Sequence, residues 1–208
     1  SDLMGFSDIT GFHTAIRQRT GLVTFHGPGA EMPATAPPPD WTVEHIWKAL
    51  TGDRPIGEIH NPHDGPQMVT ITGGSATAKV VGGNLSLIAA TMGTQYEIDT
   101  RGCLLLIEDV GERPYRIDRM LAQLRMGGKF DSIVGVVIGE CVGCEPDPDR
   151  PSISLLDLFD YYFGCLGIPV MYGLGCGHGE FRATIPLGTL ATIDADRGML
   201  IIEERATV

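Results

Sequence analysis

Ser7 lies where the sequence changes from an apolar segment to a helix-like one. Residues 3–6 are apolar, and Asp8 supplies the acidic side chain that is favoured in a first helical turn. Such a turn exposes a hydroxyl beside backbone N–H groups, which suits a serine nucleophile and the stabilisation of an oxyanion. The nucleophile-elbow pattern has a glycine two positions after the serine, where this chain has Ile9. Taken alone, Ser7 is therefore better interpreted as a helix cap.

A carboxylate and a histidine would complete acid–base chemistry with this serine. Glu108 follows an apolar segment, and functional side chains of open α/β sheets lie at such strand ends. Asp109 and Glu112 are alternatives to it, and a solvated strand-end carboxylate is the simplest interpretation. His178 lies among four glycines in the segment 173–179, where the backbone can approach a ligand closely.

Two other groups have the residue types of a metal or redox site. Cys141 and Cys144 have zinc or redox spacing, but no second pair and no suitably spaced histidines follow. His60 and His63 lie in a proline-containing segment typical of a surface loop, so a metal hydrolase is the least favoured function. We expect no metal and no cofactor. The five cysteines, an odd number among apolar neighbours, are expected to be reduced and mostly buried.

The composition restricts the partners of the chain. Of its 208 residues, 43% are hydrophobic and 20% are charged, which suits a globular protein with a sizeable core. Fifteen basic side chains against 26 acidic ones give a net charge of -11. This balance argues against nucleic acids and anionic membranes as partners, because both attract basic surfaces. The sequence has neither an apolar run of about 18 residues nor a signal-peptide pattern at its start, which favours a cytoplasmic protein.

The elements that must position these residues follow from periodicity and from glycine and proline. A helix with Phe12, Ala15 and Ile16 on its buried face follows Ser7 and ends at Gly21. The segment 28–40 is rich in proline and is expected to be a linker. Beyond it, helices are expected at 42–50, 85–90, 115–126 and 155–163. Strands are expected at 22–25, 68–72, 76–81, 103–107, 132–138, 168–172, 189–194 and 199–203, with a turn at 82–84.

Five blocks of the sequence together resemble the LD-carboxypeptidase family. They occur in the family's order and at compatible intervals across almost the whole chain. The blocks are Gly5–Thr10 followed by Thr20–Pro28, Gly82–Leu85, Ile107–Glu112, Tyr115–Arg119 and Gly177–Gly179.

The resemblance implies a serine peptidase with a Ser-His-Glu triad. The matching positions make Ser7 the nucleophile, Glu108 the carboxylate and His178 the general base. The backbone N–H of Asp8 would be one donor of the oxyanion hole.

The resemblance also implies an α/β fold with two parts. These are a flavodoxin-like N-terminal domain and a smaller, β-rich swivelling domain at the C-terminus. Residues 1–27 would be the end of the N-terminal domain and bear the nucleophile turn. Residues 28–40 would be the linker, and residues 41–208 would form the domain that bears Glu108 and His178.

The implied substrate is a murein tetrapeptide, from which a homodimeric cytoplasmic enzyme releases terminal D-alanine during peptidoglycan recycling. Arg101 and Arg182 are candidates for holding the substrate's free carboxylate by charge type alone. A related peptidase type confers immunity to microcin C by cleaving a peptide–nucleotide amide and should need an aromatic platform. Trp41 and Trp47 are assigned to packing instead. A non-catalytic binding module is the third possibility.

Ser7 departs from the family in its position. Six residues precede it, whereas the family places most of its N-terminal domain before this serine. A nucleophile turn needs its strand to be held in a sheet. We therefore expect a companion N-terminal chain or segment to supply that sheet and the remaining oxyanion donor.

Overall fold

A computed structural model describes residues 3–29, 37–149 and 151–207, and in them two β-sheets with flanking helices. The strands are β1 (Met4–Gly5), β2 (Thr24–His26), β3 (Gly57–Ile59), β4 (Val69–Thr72), β5 (Ser75–Asn84), β6 (Leu104–Val110), β7 (Gly135–Val142), β8 (Val170–Leu174), β9 (Ile185–Leu187), β10 (Leu190–Asp194) and β11 (Met199–Ile202). The helices are α1 (Thr10–Thr20), α2 (Asp40–Thr51), α3 (Leu85–Ala90), α4 (Pro114–Met126) and α5 (Leu155–Phe163), with short 3-10 helices at Ser7–Ile9 and Gly164–Leu166.

The larger sheet has the strand order β3-β11-β10-β5-β6-β7-β8-β4. Its centre, β5 to β8, is parallel, and its outer strands pair antiparallel. Strands that are buried on both faces consist of nearly continuous apolar residues, as β6 does from Leu104 to Ile107. The parallel strands bring their carboxyl ends to one edge, which is where Glu108 lies.

The two faces of this sheet have different coverings. Alternate side chains of a strand point to opposite faces. Leu105 and Ile107 pack into an apolar cluster with α3, α4 and α5, whereas Leu104 and Leu106 pack into a second cluster with β9, β10 and β11. The alternation places Glu108 on the side of the second cluster and Asp109 on the helical side.

The smaller sheet consists of β1, β2 and β9 and carries the Ser7 turn. β1 pairs parallel with β2, and β2 pairs antiparallel with β9. β9 was not predicted from the sequence, since it is short and contains Pro186. Proline is confined to edge strands, and β9 is the edge of this sheet.

The structure corrects two local predictions. The expected turn at 82–84 is wrong, because these residues continue β5 in parallel register to the pairing of Asn84 with Glu108. The predicted buried face of α1 is also wrong, since Phe12 is 61% exposed and the buried residues are Thr10, His13 and Thr14. This face is polar because it meets backbone groups: His13 contacts the carbonyl oxygen of Gly5, and Oγ1 of Thr10 accepts from the N–H of Asn84.

The division of the chain at 28–40 stays a prediction. Residues 30–36 of that segment lie outside the described residues, and α2 begins at Asp40, the last residue of the expected linker. None of the helices in the described ranges combines the length and apolarity that a membrane crossing requires.

Candidate active site

The chain turns sharply at Ser7, between β1 and the first 3-10 helix. Phe6 is extended, with φ −145° and ψ −171°, and Ser7 follows with φ 57°. Among the described residues other than glycine, Ser7 alone has a positive φ. A left-handed backbone costs an L-residue roughly 1–2 kcal/mol, and such strain is concentrated at functional sites. Ser7 is therefore held in a conformation that its own residue type does not favour.

The interpretation of Ser7 as a helix cap is wrong. The N-cap of the 3-10 helix is Phe6 and that of α1 is Ile9, and neither helix start has a side-chain cap hydrogen bond. Ile9 packs over Gly5, where an added Cβ atom would lie 2.8 Å from Cγ1 of Ile9. Gly5 is thus the first glycine of the elbow pattern. The branched side chain of Ile9 stands where the pattern has its second glycine.

His13 forms a hydrogen bond with the backbone just before the turn. It is 1% exposed, and its Nε2 lies 2.9 Å from the carbonyl oxygen of Gly5. Because a carbonyl oxygen only accepts, Nε2 carries the proton of this hydrogen bond. The N–H of Gly27 donates to the same oxygen at 3.1 Å. Two donors therefore fix the backbone two residues before Ser7.

A second histidine lies beside the first. His26 is fully buried, with its ring centroid 6.5 Å from that of His13. Neither ring nitrogen of His26 has a hydrogen-bond partner among the described residues. Burial, together with the nearby His13 and His178, lowers the pKa of His26 to about 3, and burial also lowers the pKa of His13. Both rings are therefore neutral at neutral pH.

Glu108 and His178 are in direct contact. Nδ1 of His178 lies 2.8 Å from Oε2 of Glu108, which is 1% exposed. Burial raises the pKa of the Glu108 carboxyl group, whereas the hydrogen bond to His178 opposes that rise. An ionised carboxylate only accepts, so Nδ1 carries the proton and Nε2 keeps its lone pair. This arrangement orients a histidine as a general base.

Gly177 makes this contact possible. Its φ is 89°, and an added Cβ atom would collide with Oε2 of Glu108. Any side chain at this position would displace the carboxylate from His178. The glycine-rich character of the segment, which the sequence shows, has its steric reason here.

The structure separates Glu108 from the other two acidic candidates. Asp109 accepts hydrogen bonds from the N–H of Ser86 at 2.9 Å and from its Oγ at 2.8 Å. It thereby holds the first turn of α3 on the opposite face of the sheet. Glu112 forms an ion pair with Arg116 at 3.4 Å. Only Glu108, of these three, contacts His178.

Phe6 connects the serine turn to the histidine. Its ring meets that of His178 edge to face, with centroids 4.7 Å apart and an interplanar angle of 66°. Because Phe6 directly precedes Ser7, this contact brings the turn beside the Glu108–His178 pair. Asp8 lies in the first turn of the 3-10 helix, where backbone N–H groups have no partner within the helix.

Phe6 and His13 contact the site residues but were not predicted from the sequence. A signal for His13 was present in the spacing of Thr10, His13 and Thr14, which places three polar residues on one helical face. The apolar residues of α1, from which its buried face was predicted, lie elsewhere on the helix. The sequence carries no comparable signal for Phe6.

The two arginine candidates lie in different places. Arg101 precedes β6, at the end of the strand opposite to Glu108, and pairs with Asp99 at 2.7 Å. Arg182 lies beside the histidine segment. Its Nε donates to the carbonyl oxygen of Gly179 at 2.7 Å, and its Cζ lies 5.5 Å from the centroid of the Phe6 ring.

The possible metal and redox groups show no assembled site. Within the ranges that the structure describes, no three side chains of His, Cys, Asp or Glu are grouped to hold a metal ion. Cys141 and Cys144 are buried and free. Burial raises the pKa of Cys141 and raises the pKa of Cys144 to about 11, so both are protonated thiols at neutral pH.

Comparison with known families identifies the relationship of the chain. The pattern of the LD-carboxypeptidase C-terminal domain matches residues 77–193, and that of the LD-carboxypeptidase N-terminal domain matches residues 2–27. The first match alone covers more than half of the chain. The chain belongs to the LD-carboxypeptidase family. The resemblance found in the sequence is confirmed.

Relatives in the LD-carboxypeptidase family are longer than this chain. The probable murein peptide carboxypeptidase of Bacillus subtilis (strain 168) is 38% identical over 199 residues, which cover 96% of this chain and 61% of that protein. The microcin C7 self-immunity protein MccF of Escherichia coli is 28% identical over 98% of this chain and 65% of its own length. The chain thus spans 61–62% of the first curated relatives that it matches.

Solved structures agree with this family fold. The muramoyltetrapeptide carboxypeptidase from Oxalobacter formigenes superposes with a TM-score of 0.78 at 26% identity, over 98% of this chain and 69% of that one. A structure of MccF in complex with aspartyl sulfamoyl adenosine superposes with a TM-score of 0.85 at 24% identity, over 100% of this chain and 69% of that one. The predicted α/β fold class is confirmed.

Proposed function

We propose that the protein is a serine-type LD-carboxypeptidase that releases terminal D-alanine from murein tetrapeptide. The bond cleaved joins the L-centre of a diamino acid to that D-alanine. The observation that carries the proposal is the Glu108–His178 hydrogen bond beside the strained turn of Ser7. The similarity to the B. subtilis and O. formigenes proteins, which are named as murein peptide and muramoyltetrapeptide carboxypeptidases, supports the choice of substrate.

The proposed reaction proceeds through an acyl-enzyme. Nε2 of His178 takes the proton of Ser7 while Oγ forms a bond to the scissile carbonyl carbon. The N–H of Asp8 donates to the oxyanion that develops. When the C–N bond breaks, His178 returns the proton to the amine of D-alanine. Water then attacks the ester with His178 again as the base, which releases the shortened peptide and restores Ser7.

Glu108 has a distinct task in this scheme. It accepts the hydrogen bond from Nδ1 of His178, so Nε2 keeps the lone pair that takes the proton of Ser7 in this scheme. When His178 becomes positively charged, a buried carboxylate at 2.8 Å stabilises that charge more strongly than one in water would. The carboxylate need not take up a proton at any step.

The test is D-alanine release from the tetrapeptide by the full-length protein. We expect turnover of the peptide that ends in D-alanine and none of its epimer that ends in L-alanine. Ser7→Ala should lower turnover by about 10³-fold or more. A non-catalytic binding module would instead release no D-alanine. It would bind the peptide equally well with serine or alanine at position 7.

Cleavage of a peptide–nucleotide amide is the second candidate function, and one observation favours it. The ring of Trp41 lies 6.0 Å from that of Phe181, which is in the segment that follows His178. This aromatic pair would be the platform that such a function needs, and the ring of His45 packs on Trp41 at 4.0 Å. Trp47, which was assigned to packing from the sequence, is instead 61% exposed, so that assignment is wrong. Turnover of aspartyl sulfamoyl adenosine in preference to the tetrapeptide would decide for this function.

We also propose that the enzyme is a cytoplasmic homodimer that acts on recycled peptidoglycan fragments. The family membership supports both parts of this proposal. Sedimentation of the full-length protein at micromolar concentration tests the oligomeric state, since a monomer would contradict it. Fractionation of the source cells tests the location.

A further inference from the structure

Arg182 is held rigidly beside the candidate active site. Its Nε donates to the carbonyl oxygen of Gly179, and its backbone N–H donates to Oγ1 of Thr42 at 3.0 Å. Its guanidinium lies over the same Phe6 ring that contacts His178. The position of the charged group is thus fixed by contacts with the serine turn, the histidine segment and α2.

The outer nitrogens of this guanidinium are not used by the protein. Within the described part of the chain, neither Nη atom of Arg182 has a hydrogen-bond or ion-pair partner, and neither is buried. Burial raises the pKa of Glu140, and the nearby charge of Arg182 opposes that rise. No ion pair joins the two side chains. A guanidinium in this state offers two parallel N–H groups, the geometry that binds a carboxylate through both of its oxygens.

We infer that Arg182 binds the terminal carboxylate of the substrate and so restricts cleavage to the last residue of a peptide. This inference rests on the proposed function. One residue of extended chain spans about 3.5 Å, so the carboxylate of the departing residue lies close to the carbonyl that Ser7 attacks. The group that binds it must therefore stand beside His178. Arg182 does, whereas Arg101 lies at the far end of β6.

A peptide that ends in an amide instead of a carboxylate isolates this contact. The amide keeps the scissile bond and the side chains but lacks the charge that Arg182 would bind. We expect the native enzyme to prefer the acid over the amide in kcat/KM by about 10²-fold, the usual effect of a charge-assisted pair of hydrogen bonds.

The decisive variant is Arg182→Met in the full-length protein. It should lower kcat/KM for the acid by about 10²-fold and leave that for the amide almost unchanged, so the preference disappears. Arg182→Lys keeps the charge without the fork and should give an intermediate preference. Arg101→Met is the matched control, which removes an arginine distant from Glu108 and should keep the full preference.

Several results would overturn the inference. If Arg182→Met lowers kcat/KM equally for both peptides, Arg182 only supports the Gly179 segment. If that variant does not fold, an unchanged preference in Arg182→Lys contradicts the inference by itself. Equal cleavage of acid and amide by the native enzyme refutes it as well. Cleavage of neither peptide would refute the proposed function instead, so the two failures are distinguishable.

Discussion

The two halves of the candidate active site are built in different ways. Ser7 follows a small sheet whose strands have two or three residues each, and its backbone is strained. Glu108 lies on a seven-residue strand in the middle of the large sheet, among fully buried apolar neighbours. The serine half is therefore positioned by a few polar contacts, and the acid–base half by close packing.

This difference predicts two kinds of response to substitution. In the acid–base half, the apolar packing keeps the backbone in place when one polar atom changes, so chemistry should be lost without loss of the fold. In the serine half, the hydrogen bonds to Gly5 oppose the strain at Ser7. Changes there should alter the free energy of unfolding and the geometry of the nucleophile together.

Replacing the carboxylate of the acid–base half should have the largest effect. In Glu108→Gln the side-chain amide donates to Nδ1 of His178, which moves the ring proton to Nε2 and removes the base. We expect kcat for D-alanine release to fall roughly 10³–10⁴-fold. The free energy of unfolding at pH 7.5 should change by less than about 1 kcal/mol, because the shape is kept.

Asp109→Asn is the matched control for that prediction. It changes the adjacent carboxylate, which holds the first turn of α3 and faces away from His178. It should lower the free energy of unfolding by about 1–2 kcal/mol and leave kcat within about tenfold of the native value. The assignment of Glu108 is wrong if Asp109→Asn loses as much activity as Glu108→Gln.

Removing the hydrogen bond between His13 and Gly5 should have the next largest effect. His13→Leu deletes the donor to the Gly5 carbonyl oxygen and leaves the N–H of Gly27 alone to hold it. We expect kcat to fall about 10–100-fold with little change in KM, because Ser7 moves while the substrate contacts remain. The free energy of unfolding should fall by about 1–3 kcal/mol.

His13→Gln restores a donor in nearly the same place and is the matched variant. It should recover most of the kcat lost in His13→Leu. If His13→Leu loses stability but keeps kcat, the hydrogen bond to Gly5 is structural and does not position the nucleophile.

The sequence predicted the elements with strong local patterns and missed those set by distant contacts. The helix expected at 115–126 is present as Pro114–Met126, because its apolar stripe and its proline in the first turn both act locally. β9 was missed, since three residues that include Pro186 become a strand only by pairing with β2. The residues 82–84 were misassigned because glycine is as common in turns as at points of close backbone approach.

For the candidate site as well, local features were predictable from the sequence and long-range contacts were not. Ser7, Glu108 and His178 were each chosen from local context and family resemblance. Their assembly depends on long-range contacts, such as the hydrogen bond between Glu108 and His178, which are 70 residues apart. The strain at Ser7 was only partly foreseeable, since Ile9 departs from the elbow pattern yet fits over Gly5.

Buried His26 predicts a dependence of stability on pH that originates in the serine half. The pKa of His26 is lowered to about 3 in the folded protein from a value of 6.5. Below pH 6.5 the unfolded chain therefore binds a proton that the folded one does not, so the free energy of unfolding falls as the pH decreases towards 3. The slope approaches about 1.4 kcal/mol per pH unit, and the effect is absent above pH 7.5.

His26→Phe isolates this contribution. Phenylalanine fills a similar volume without the two unpartnered nitrogens, so stability at pH 7.5 should be kept or raised. Urea unfolding at pH 7.5, 6 and 5 should show the native protein losing more stability than the variant on acidification. Parallel losses in the two proteins would mean that His26 is protonated in the folded state.

The strain at Ser7 itself predicts the smallest effect. Ser7→Ala and Ser7→Gly both remove the nucleophile, but only glycine adopts a φ of 57° without steric cost. Relief of roughly 1–2 kcal/mol of strain, reduced by the higher entropy of unfolded glycine, should make Ser7→Gly more stable than Ser7→Ala by about 0.5–1 kcal/mol. The same pair at Ser86, in α3, should show the opposite order by about 1 kcal/mol, because glycine weakens a helix. Equal stability of the two variants at position 7 would show that the backbone there is not strained in solution. Strain would then no longer distinguish the serine half, and the buried His13 and His26 would be the polar features that set it apart from the acid–base half.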